Sequence, residues 1–127
     1  MKAAYLDTSC LVAIAFGEKG AASLGRRLEG FDELFSSNLL EAEFRASLVR
    51  EEVDAATDLL SWFTWVLPDQ PLGRELGEVL AAGYLRGADL WHVACALFLA
   101  GGKPSDLHLL TLDDRQRAVA EQLGFPT

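Results

Sequence analysis

Cysteine is scarce in this sequence, and none of it has metal-binding spacing. The 127 residues contain two cysteines, Cys10 and Cys95, and neither belongs to a Cys-x-x-Cys motif. This scarcity argues against a disulfide framework, which needs several cysteines. It also argues against a cysteine–histidine zinc site, which needs several ligands at regular spacing. Both cysteines lie in apolar helical contexts, so we expect buried thiols in a reducing cytoplasm.

The N-terminal stretch has no long apolar run. Its unbroken apolar segment, Leu11 to Phe16, is far shorter than the roughly 20 residues that span a bilayer. Asp7 interrupts the stretch that a signal segment would need. We therefore expect a cytoplasmic protein without a membrane partner, and a single domain over residues 1–127, which is a common domain size.

Basic charge is also in short supply. The chain has 11 Lys and Arg residues against 19 Asp and Glu residues, which gives a net charge of −8 at pH 7. This balance argues against a broad positive surface for nucleic acid, so any such contact must be local. The objection weakens if several acids surround divalent cations, because the metal then sets part of the local field.

Several well-known catalytic motifs are missing as well. The sequence contains no GxxxxGK[ST], GxGxxG, GxSxG or HExxH pattern, which argues against P-loop, dinucleotide-binding, serine hydrolase and zinc protease chemistry. Asp7 is followed two residues later by Ser9, so the chain also lacks the second aspartate of a DxD phosphotransfer nucleophile.

The apolar pattern predicts strands and helices in alternation. We predict strands at 2–6, 34–36, just before Pro68, and 108–112, and helices at 11–16, 21–29, 39–50, a segment ending near Trp62, 71–85, 89–100 and 113–123. Alternation of this kind favours an α/β fold in which helices cover both faces of a parallel sheet.

Four acidic residues fall where strands end or helices begin: Asp7, Glu43, Asp89 and Asp113. In open α/β sheets ligands bind beyond the carboxyl ends of the strands, and Asp7 and Asp113 follow predicted strands directly. Two unit charges about 4 Å apart repel by roughly 4 kcal/mol at an effective dielectric of about 20, so such a cluster must take up protons or bind cations. A pocket of carboxylate oxygens favours Mg²⁺ or Mn²⁺.

Each acid also has an ordinary structural alternative. Asp7 could cap the following helix, although Thr8 and Ser9 could do so equally well. For Asp113, the Thr-x-x-Asp spacing of Thr111 and Asp114 predicts that Asp114 is the capping residue, which leaves Asp113 free.

The alternatives for the two helix-borne acids concern capping and solvation. Asn38 and Glu41 have helix-start spacing, so we expect Glu41 to reach back to the backbone, while Glu43 points elsewhere or into solvent. Asp89 could equally cap its own helix. His92 lies three residues later on the same face and is predicted as a core residue or a supporting partner rather than a ligand.

Four segments together resemble a known family. They are YLDTSCLVAIAFGE, LLEAEFRASLVR, ADLWHVACAL and TLDDRQRAVAEQLGF. Their order and spacing resemble the PIN-domain ribonucleases, in particular the VapC-type toxins of bacterial and archaeal toxin–antitoxin pairs, over essentially the whole chain. Trp91 is larger than the residue expected before the histidine. The resemblance implies a three-layer α/β/α sandwich with a short parallel sheet of four to five strands.

The resemblance also implies a metal-dependent endoribonuclease. One or two Mg²⁺ or Mn²⁺ ions would be held by the four acids, directly or through water. Hydrogen bonds from Thr8, Ser9, Thr111 and His92 would orient these acids. Candidate phosphate contacts are the arginines nearest to the acids in sequence, namely Arg45, Arg86, Arg115 and Arg117. A solvated surface role is an equal alternative for each of these arginines.

The implied partners are an RNA substrate, a cognate antitoxin that covers the acidic pocket, and a second copy of the chain. The aromatic cluster of Trp62, Phe63 and Trp65 could contribute to either protein interface, with at least one ring in the core. Other functions stay open: a PIN nuclease acting in RNA maturation or on DNA, a silent binding module, or a receiver-like domain. The receiver is disfavoured because Asp7 stands alone and Lys103 precedes the last strand.

Overall fold

A computed structural model describes residues 1–53 and 56–127 and contains a four-stranded parallel sheet. The strands are β1 (Ala3–Leu6), β2 (Glu33–Ser37), β3 (Phe63–Val66) and β4 (Leu107–Leu110). They lie in the order β3-β2-β1-β4. The expected α/β fold with a parallel sheet is therefore confirmed.

Six α-helices connect and cover the strands within the described ranges. They are α1 (Thr8–Ala15), α2 (Ala21–Leu28), α3 (Leu39–Arg50), α4 (Gly73–Ala82), α5 (Gly87–Ala100) and α6 (Asp114–Leu123). Short 3₁₀ turns, Thr57–Trp62 and Pro104–Asp106, precede β3 and β4. Among the described residues, no helix has both the length and the apolar character required to cross a bilayer.

The sheet separates two apolar cores because neighbouring side chains of a strand point to opposite faces. Tyr5 of β1 belongs to the core built with α4, α5 and α6. Its neighbours Ala4 and Leu6 belong to the core built with α1, α2 and α3. Cys95 lies in the first core and Cys10 in the second, both as buried free thiols, as predicted.

The register places all strand ends on one edge of the sheet. Tyr5 of β1 lies opposite Phe35 of β2 and Leu109 of β4. Parallel strands end at the same edge, so the residues that follow β1, β2 and β4 lie near one another. Asp7 illustrates this closeness, since its amide donates to the carbonyl oxygen of Leu110 at 3.3 Å.

Three predicted boundaries are wrong. The helix expected over 71–85 is shorter, because α4 ends at Ala82 and the following Gly83 runs in extended conformation against α6. The segment ending at Trp62 is a 3₁₀ turn. The helix predicted to start at residue 89 begins two residues earlier, at Gly87, whose φ of +56° is one that glycine adopts without strain.

Candidate active site

Asp7 lies directly after β1 and is almost completely buried, with 3% of its surface exposed. Its Oδ1 accepts a hydrogen bond from Ser9 Oγ at 2.6 Å, and its Oδ2 accepts one from Thr111 Oγ1 at 2.8 Å. It occupies the N-cap position of α1, but its side chain makes no capping hydrogen bond. The two hydroxyl groups are therefore its main partners, and the Cys10 amide in the first turn of α1 adds only a weaker interaction.

The two hydroxyl groups that hold Asp7 are themselves fixed by backbone amides. Ser9 Oγ accepts from the amide of Leu112 at 3.0 Å, and Thr111 Oγ1 accepts from the amide of Asp113 at 3.1 Å. Burial raises the pKa of Asp7, and the Ser9 and Thr111 hydrogen bonds oppose that rise. Asp7 is thus a rigid carboxyl group in a place that disfavours its charge.

Glu43 projects from α3 toward the start of α1. Its Oε1 accepts from Thr8 Oγ1 at 2.6 Å and lies 3.2 Å from His92 Nε2. The hydrogen bond with His92 is the main cause that lowers the pKa of Glu43, and the Thr8 hydroxyl adds to it. Glu43 is therefore held as a carboxylate through groups on two other helices.

His92 is buried in α5 and connects this carboxylate to the sheet. Its Nδ1 lies 2.8 Å from the hydroxyl of Tyr5, which accepts from the amide of Ser37 at 3.1 Å. Burial raises the pKa of Tyr5, so its proton stays available to donate to Nδ1. This arrangement assigns the remaining ring proton to Nε2, which faces Glu43 and Thr8.

Asp89 lies in the first turn of α5 without capping it, since no side-chain cap is present there. Burial raises its pKa, and the charges of Asp113 and Asp7 raise it further. Asp89 and Asp113 line one cleft of about 330 Å³ together with Tyr84, Leu85, Arg86 and Arg115. The three aspartates therefore experience one another's charge at this edge of the sheet.

Asp113, not Asp114, is the residue that caps α6. Its Oδ1 accepts from the amide of Gln116 at 2.7 Å, and its backbone is extended, with φ −88° and ψ 119°. Asp114 points to solvent and pairs with Arg117 at 2.7 Å. The prediction that the Thr111–Asp114 spacing frees Asp113 is wrong, although the cap occupies only one of its two oxygens.

The prediction that Glu41 caps the start of α3 is also wrong. Asn38 occupies the N-cap position without a side-chain hydrogen bond, because its backbone is already helical, with φ −64° and ψ −13°. Glu41 does not reach back and instead pairs with Arg45 at 2.7 Å. Glu43 does point elsewhere, toward Thr8 and His92.

The four candidate arginines fall into two groups. Arg86 and Arg115 line the acidic cleft. Arg45 instead pairs with Glu41 on the outside of α3. Arg117 pairs with Asp114 and also donates to the carbonyl oxygen of Thr111 at 2.7 Å. The structure thus brings two of the four to the cleft.

The aromatic cluster does not form one continuous surface. Trp62 is exposed to 43%, whereas Phe63 is buried in the core beside α1 to α3. Trp65 is half-buried and stacks on Phe63 with ring centroids 5.6 Å apart. Of the three, only Trp62 is exposed, and Phe63 fulfils the expected core role.

The acids suit a hydrated cation better than one enclosed by protein ligands. Within residues 1–53 and 56–127, no group of three or more His, Cys, Asp or Glu side chains is close enough to form a ready-made metal centre. The donors at the cleft are nonetheless carboxylate oxygens. Burial, and then the charges of Asp113 and Asp7, raise the pKa of Asp89, and a cation would relieve that repulsion. Mg²⁺ keeps several waters and binds through one or two carboxylates, so this donor set fits it.

The sequence matches the family described as PIN domain over residues 4–122. The chain belongs to the PIN domain family. PIN domains are generally nucleases that act on nucleic acids and use divalent metal ions. No curated protein and no solved structure matches the chain.

Sequence reasoning missed three residues at this edge of the PIN domain. Tyr5 gave a usable signal, because a phenol in an otherwise apolar strand needs a hydrogen-bond partner. Gln116 is completely buried, and its Nε2 donates to the carbonyl oxygen of Asp89 at 3.2 Å. Tyr84 lines the cleft. The roles of Gln116 and Tyr84 depend on contacts between distant segments, which no local pattern reveals.

Proposed function

We propose that this PIN domain is a Mg²⁺- or Mn²⁺-dependent endoribonuclease that hydrolyses RNA phosphodiester bonds. The observation that carries the proposal is that Asp7, Asp89 and Asp113 lie close enough at one edge of the sheet for the charges of Asp113 and Asp7 to raise the pKa of Asp89. Two arginines line the same cleft as Asp89 and Asp113. Carboxylates in this arrangement supply the ligands that a hard cation prefers.

The proposed ligands are Asp7, Asp89, Asp113 and Glu43, directly or through water. A bound cation would generate the attacking hydroxide and stabilise charge on the scissile phosphate. Ser9 and Thr111 orient Asp7, while Thr8 and His92 orient Glu43. Arg86 and Arg115 are proposed to contact the phosphate from the same cleft.

Glu43 differs from the three aspartates in how its charge is balanced. Its Oε1 already accepts from Thr8 and lies against His92, and its pKa is lowered while those of Asp7 and Asp89 are raised. A group whose charge is already compensated gains less from a nearby cation. We therefore assign Glu43 a contact through water.

The decisive experiment compares Asp7→Asn with Asp114→Asn on a single-stranded RNA. Asn keeps the volume of Asp7 and removes its charge, so cleavage should fall at least about 100-fold, as expected when metal stabilisation worth several kcal/mol is lost. Asp114 is exposed and one residue from Asp113, so its replacement should leave the rate unchanged. Equal rates for wild type and Asp7→Asn would reject the site, and cleavage unaffected by EDTA would reject the metal.

Metal binding can be measured without catalysis. A cation that binds only the folded protein at 100 times its Kd adds about 2.7 kcal/mol to the free energy of unfolding. Mn²⁺ should therefore raise the melting temperature of wild type and of Asp114→Asn, but not that of Asp7→Asn. A silent binding module would give no such shift and no cleavage.

We further propose that the protein is the toxin of a VapBC-type pair in the cytoplasm, held inactive by an antitoxin. Support comes from the resemblance of four sequence segments and from the acidic cleft, which suits an arginine of a partner. The exposed Trp62 is a candidate for the homodimer or antitoxin contact. An adjacent reading frame encoding a small DNA-binding protein that blocks cleavage would support this pairing, and its absence would favour an RNA-maturation enzyme.

DNA is an alternative substrate with the same chemistry. Matched single strands of RNA and DNA, incubated with wild type and Mn²⁺, distinguish the two substrates directly. Preferential cleavage of DNA would overturn the assignment to RNA while leaving the metal site intact.

A further inference from the structure

A second depression adjoins the acidic cleft and shares two residues with it. It has a volume of about 540 Å³ and lies between the end of α4 and the outer face of α6, where it is lined by Ala82, Gly83, Tyr84, Arg115, Ala118, Val119 and Gln122. Tyr84 and Arg115 line both spaces. The surface is therefore continuous from the carboxylates to a largely apolar floor.

Tyr84 is the large aromatic side chain at this boundary, and 64% of its surface is exposed. The position of its segment is fixed by the preceding glycine. A Cβ atom on Gly83 would lie 2.7 Å from Val119 Cγ2, so only glycine lets the chain pass this close to α6. The sterics of Gly83 thus place an open aromatic ring beside the cleft.

The cleft also contains guanidinium groups without a carboxylate partner. Arg45, Arg50, Arg74 and Arg117 each form an ion pair. Within the two described ranges, Arg86 and Arg115 form none, although both lie beside Asp89 and Asp113. Two guanidinium groups that line the cleft outside any ion pair can donate to a phosphate while Asp89 and Asp113 beside them face the proposed cation.

We propose that Tyr84 and the apolar floor bind one unpaired base of a single-stranded RNA, while Arg86 and Arg115 contact the adjoining phosphate. The inference rests on the proposed ribonuclease function and adds to it a base-binding subsite at Tyr84. An anion joined to a flat apolar ring is the chemistry of a nucleotide. A base can stack on an aromatic side chain only when it has left the duplex stack, and such stacking tolerates any base.

Binding in the Asp7→Asn background tests the subsite without cleavage. The probe is a fluorescent single-stranded RNA octamer, and its affinity is followed by polarisation at fixed salt. Tyr84→Ala should weaken binding by about 5- to 150-fold, the range measured for loss of one stacked base. Tyr84→Phe and Tyr84→Trp should keep most of the affinity, because both retain a ring. Leu67→Ala removes an exposed apolar side chain that lines neither depression and should have no effect.

Two further probes test the base and the strand. In a series of octamers, each lacking the base at one position, one member should bind the Tyr84-containing protein weakly. Its affinity should match that of the intact octamer for the Tyr84→Ala protein. The same sequence in a blunt duplex should bind weakly to both and show no dependence on Tyr84. Equal sensitivity of duplex and single strand to Tyr84→Ala would overturn the proposal.

Cleavage assays separate failure of this inference from failure of the nuclease proposal. If the otherwise wild-type enzyme cleaves RNA and Tyr84→Ala leaves kcat/KM and binding unchanged, the base subsite is wrong, even if this face binds a protein. If Tyr84 governs binding but no RNA is cleaved with Mn²⁺, the subsite stands and the nuclease function falls. Because Tyr84 is exposed, its replacement should alter the free energy of unfolding by no more than about 0.5 kcal/mol.

Discussion

His92 Nε2 lies 3.2 Å from Glu43 Oε1, and this contact joins α5 to α3 beyond the ends of the strands. The two helices cover opposite faces of the sheet. Their side chains can meet only at the carboxyl edge, where no strand separates them. Through Nδ1, the same ring is also bonded to Tyr5 of the central strand β1, so one imidazole connects all three layers behind the acidic cleft.

Replacing His92 by alanine should destabilise the fold strongly. The change leaves a cavity and removes the partner of the buried Tyr5 hydroxyl and of Glu43. We expect the free energy of unfolding to fall by about 2–4 kcal/mol, as measured by urea denaturation. Tyr5→Phe breaks the same contact from the other side, so the double variant should lose less than the sum of the two changes. Full additivity would contradict the coupling.

Asp7→Asn should stabilise the protein when no divalent cation is present. Burial raises the pKa of Asp7 above its usual 3.8, so the folded state resists ionisation more than the unfolded chain does. Its stability contribution is thus greatest below pH 3.8 and is lost as pH rises through the raised pKa. At pH 7 the variant should gain about 0.5–2 kcal/mol, a common size for stabilising substitutions.

The pH dependence of the free energy of unfolding tests whether Asp7→Asn stabilises the protein. The advantage of Asp7→Asn over wild type should shrink as the pH is lowered toward 3.8, the usual pKa of the group. Added Mn²⁺ should reverse the ranking at pH 7, because only wild type has the charge that binds it. A variant less stable than metal-free wild type at pH 7 would mean that the Ser9 and Thr111 hydrogen bonds outweigh burial.

Gly83→Ala tests the close approach of the Tyr84 segment to α6. The new Cβ atom would lie 2.7 Å from Val119 Cγ2, and overpacking of this kind typically destabilises by about 1–3 kcal/mol. The φ of Gly83 is 170°, an extended value open to any residue, so the effect should be steric. Val119→Ala should relieve part of it in the double variant, as measured by thermal unfolding.

Gly77→Ala is the matched control for Gly83→Ala. Gly77 lies within α4, and a Cβ atom there would meet nothing within 4 Å. Because alanine is favoured over glycine in a helix, this change should stabilise by about 0.5–1 kcal/mol. Destabilisation by both variants would show that α4 tolerates no change of this kind, and the steric explanation for Gly83 would fail.

The sequence predicts the sheet and most helices because their signals are local. The apolar strand before Asp7 and the apolar helix after Asp89 are readable from residue type alone. The alternation of strands and helices then requires parallel strands, whose ends share one edge. This reasoning is sufficient to bring Asp7 and Asp113 to one region, whereas Asp89 lies in the first turn of α5, which follows α4 rather than a strand.

The details of the site depend on backbone angles and distant contacts. Asp113 and Asp114 are both favourable capping residues, and only the extended backbone of Asp113 selects it. Glu41 has capping spacing but pairs with Arg45, because Asn38 is already helical. The contact of Tyr5 with His92 joins residues 87 positions apart, a distance over which sequence periodicity carries no information.

Gln116 connects Asp89 to Asp113 and should affect catalysis more than stability. Gln116 is fully buried. Its backbone amide donates to Asp113 Oδ1, and its side-chain Nε2 donates to the carbonyl oxygen of Asp89. Its Oε1 has no hydrogen-bond partner among the described residues. Gln116→Met keeps the length and the backbone amide, and removes one hydrogen bond together with one unpaired buried oxygen.

We expect these two effects of Gln116→Met to offset each other, so the free energy of unfolding should change by less than about 1.5 kcal/mol. Cleavage should nevertheless fall by about tenfold or more in kcat, because Asp89 loses the contact that fixes it relative to Asp113. Single-turnover kinetics with saturating Mn²⁺ provide the measurement, with Gln70→Met in an exposed loop as the control. A large loss of stability with unchanged kcat would assign Gln116 to packing alone.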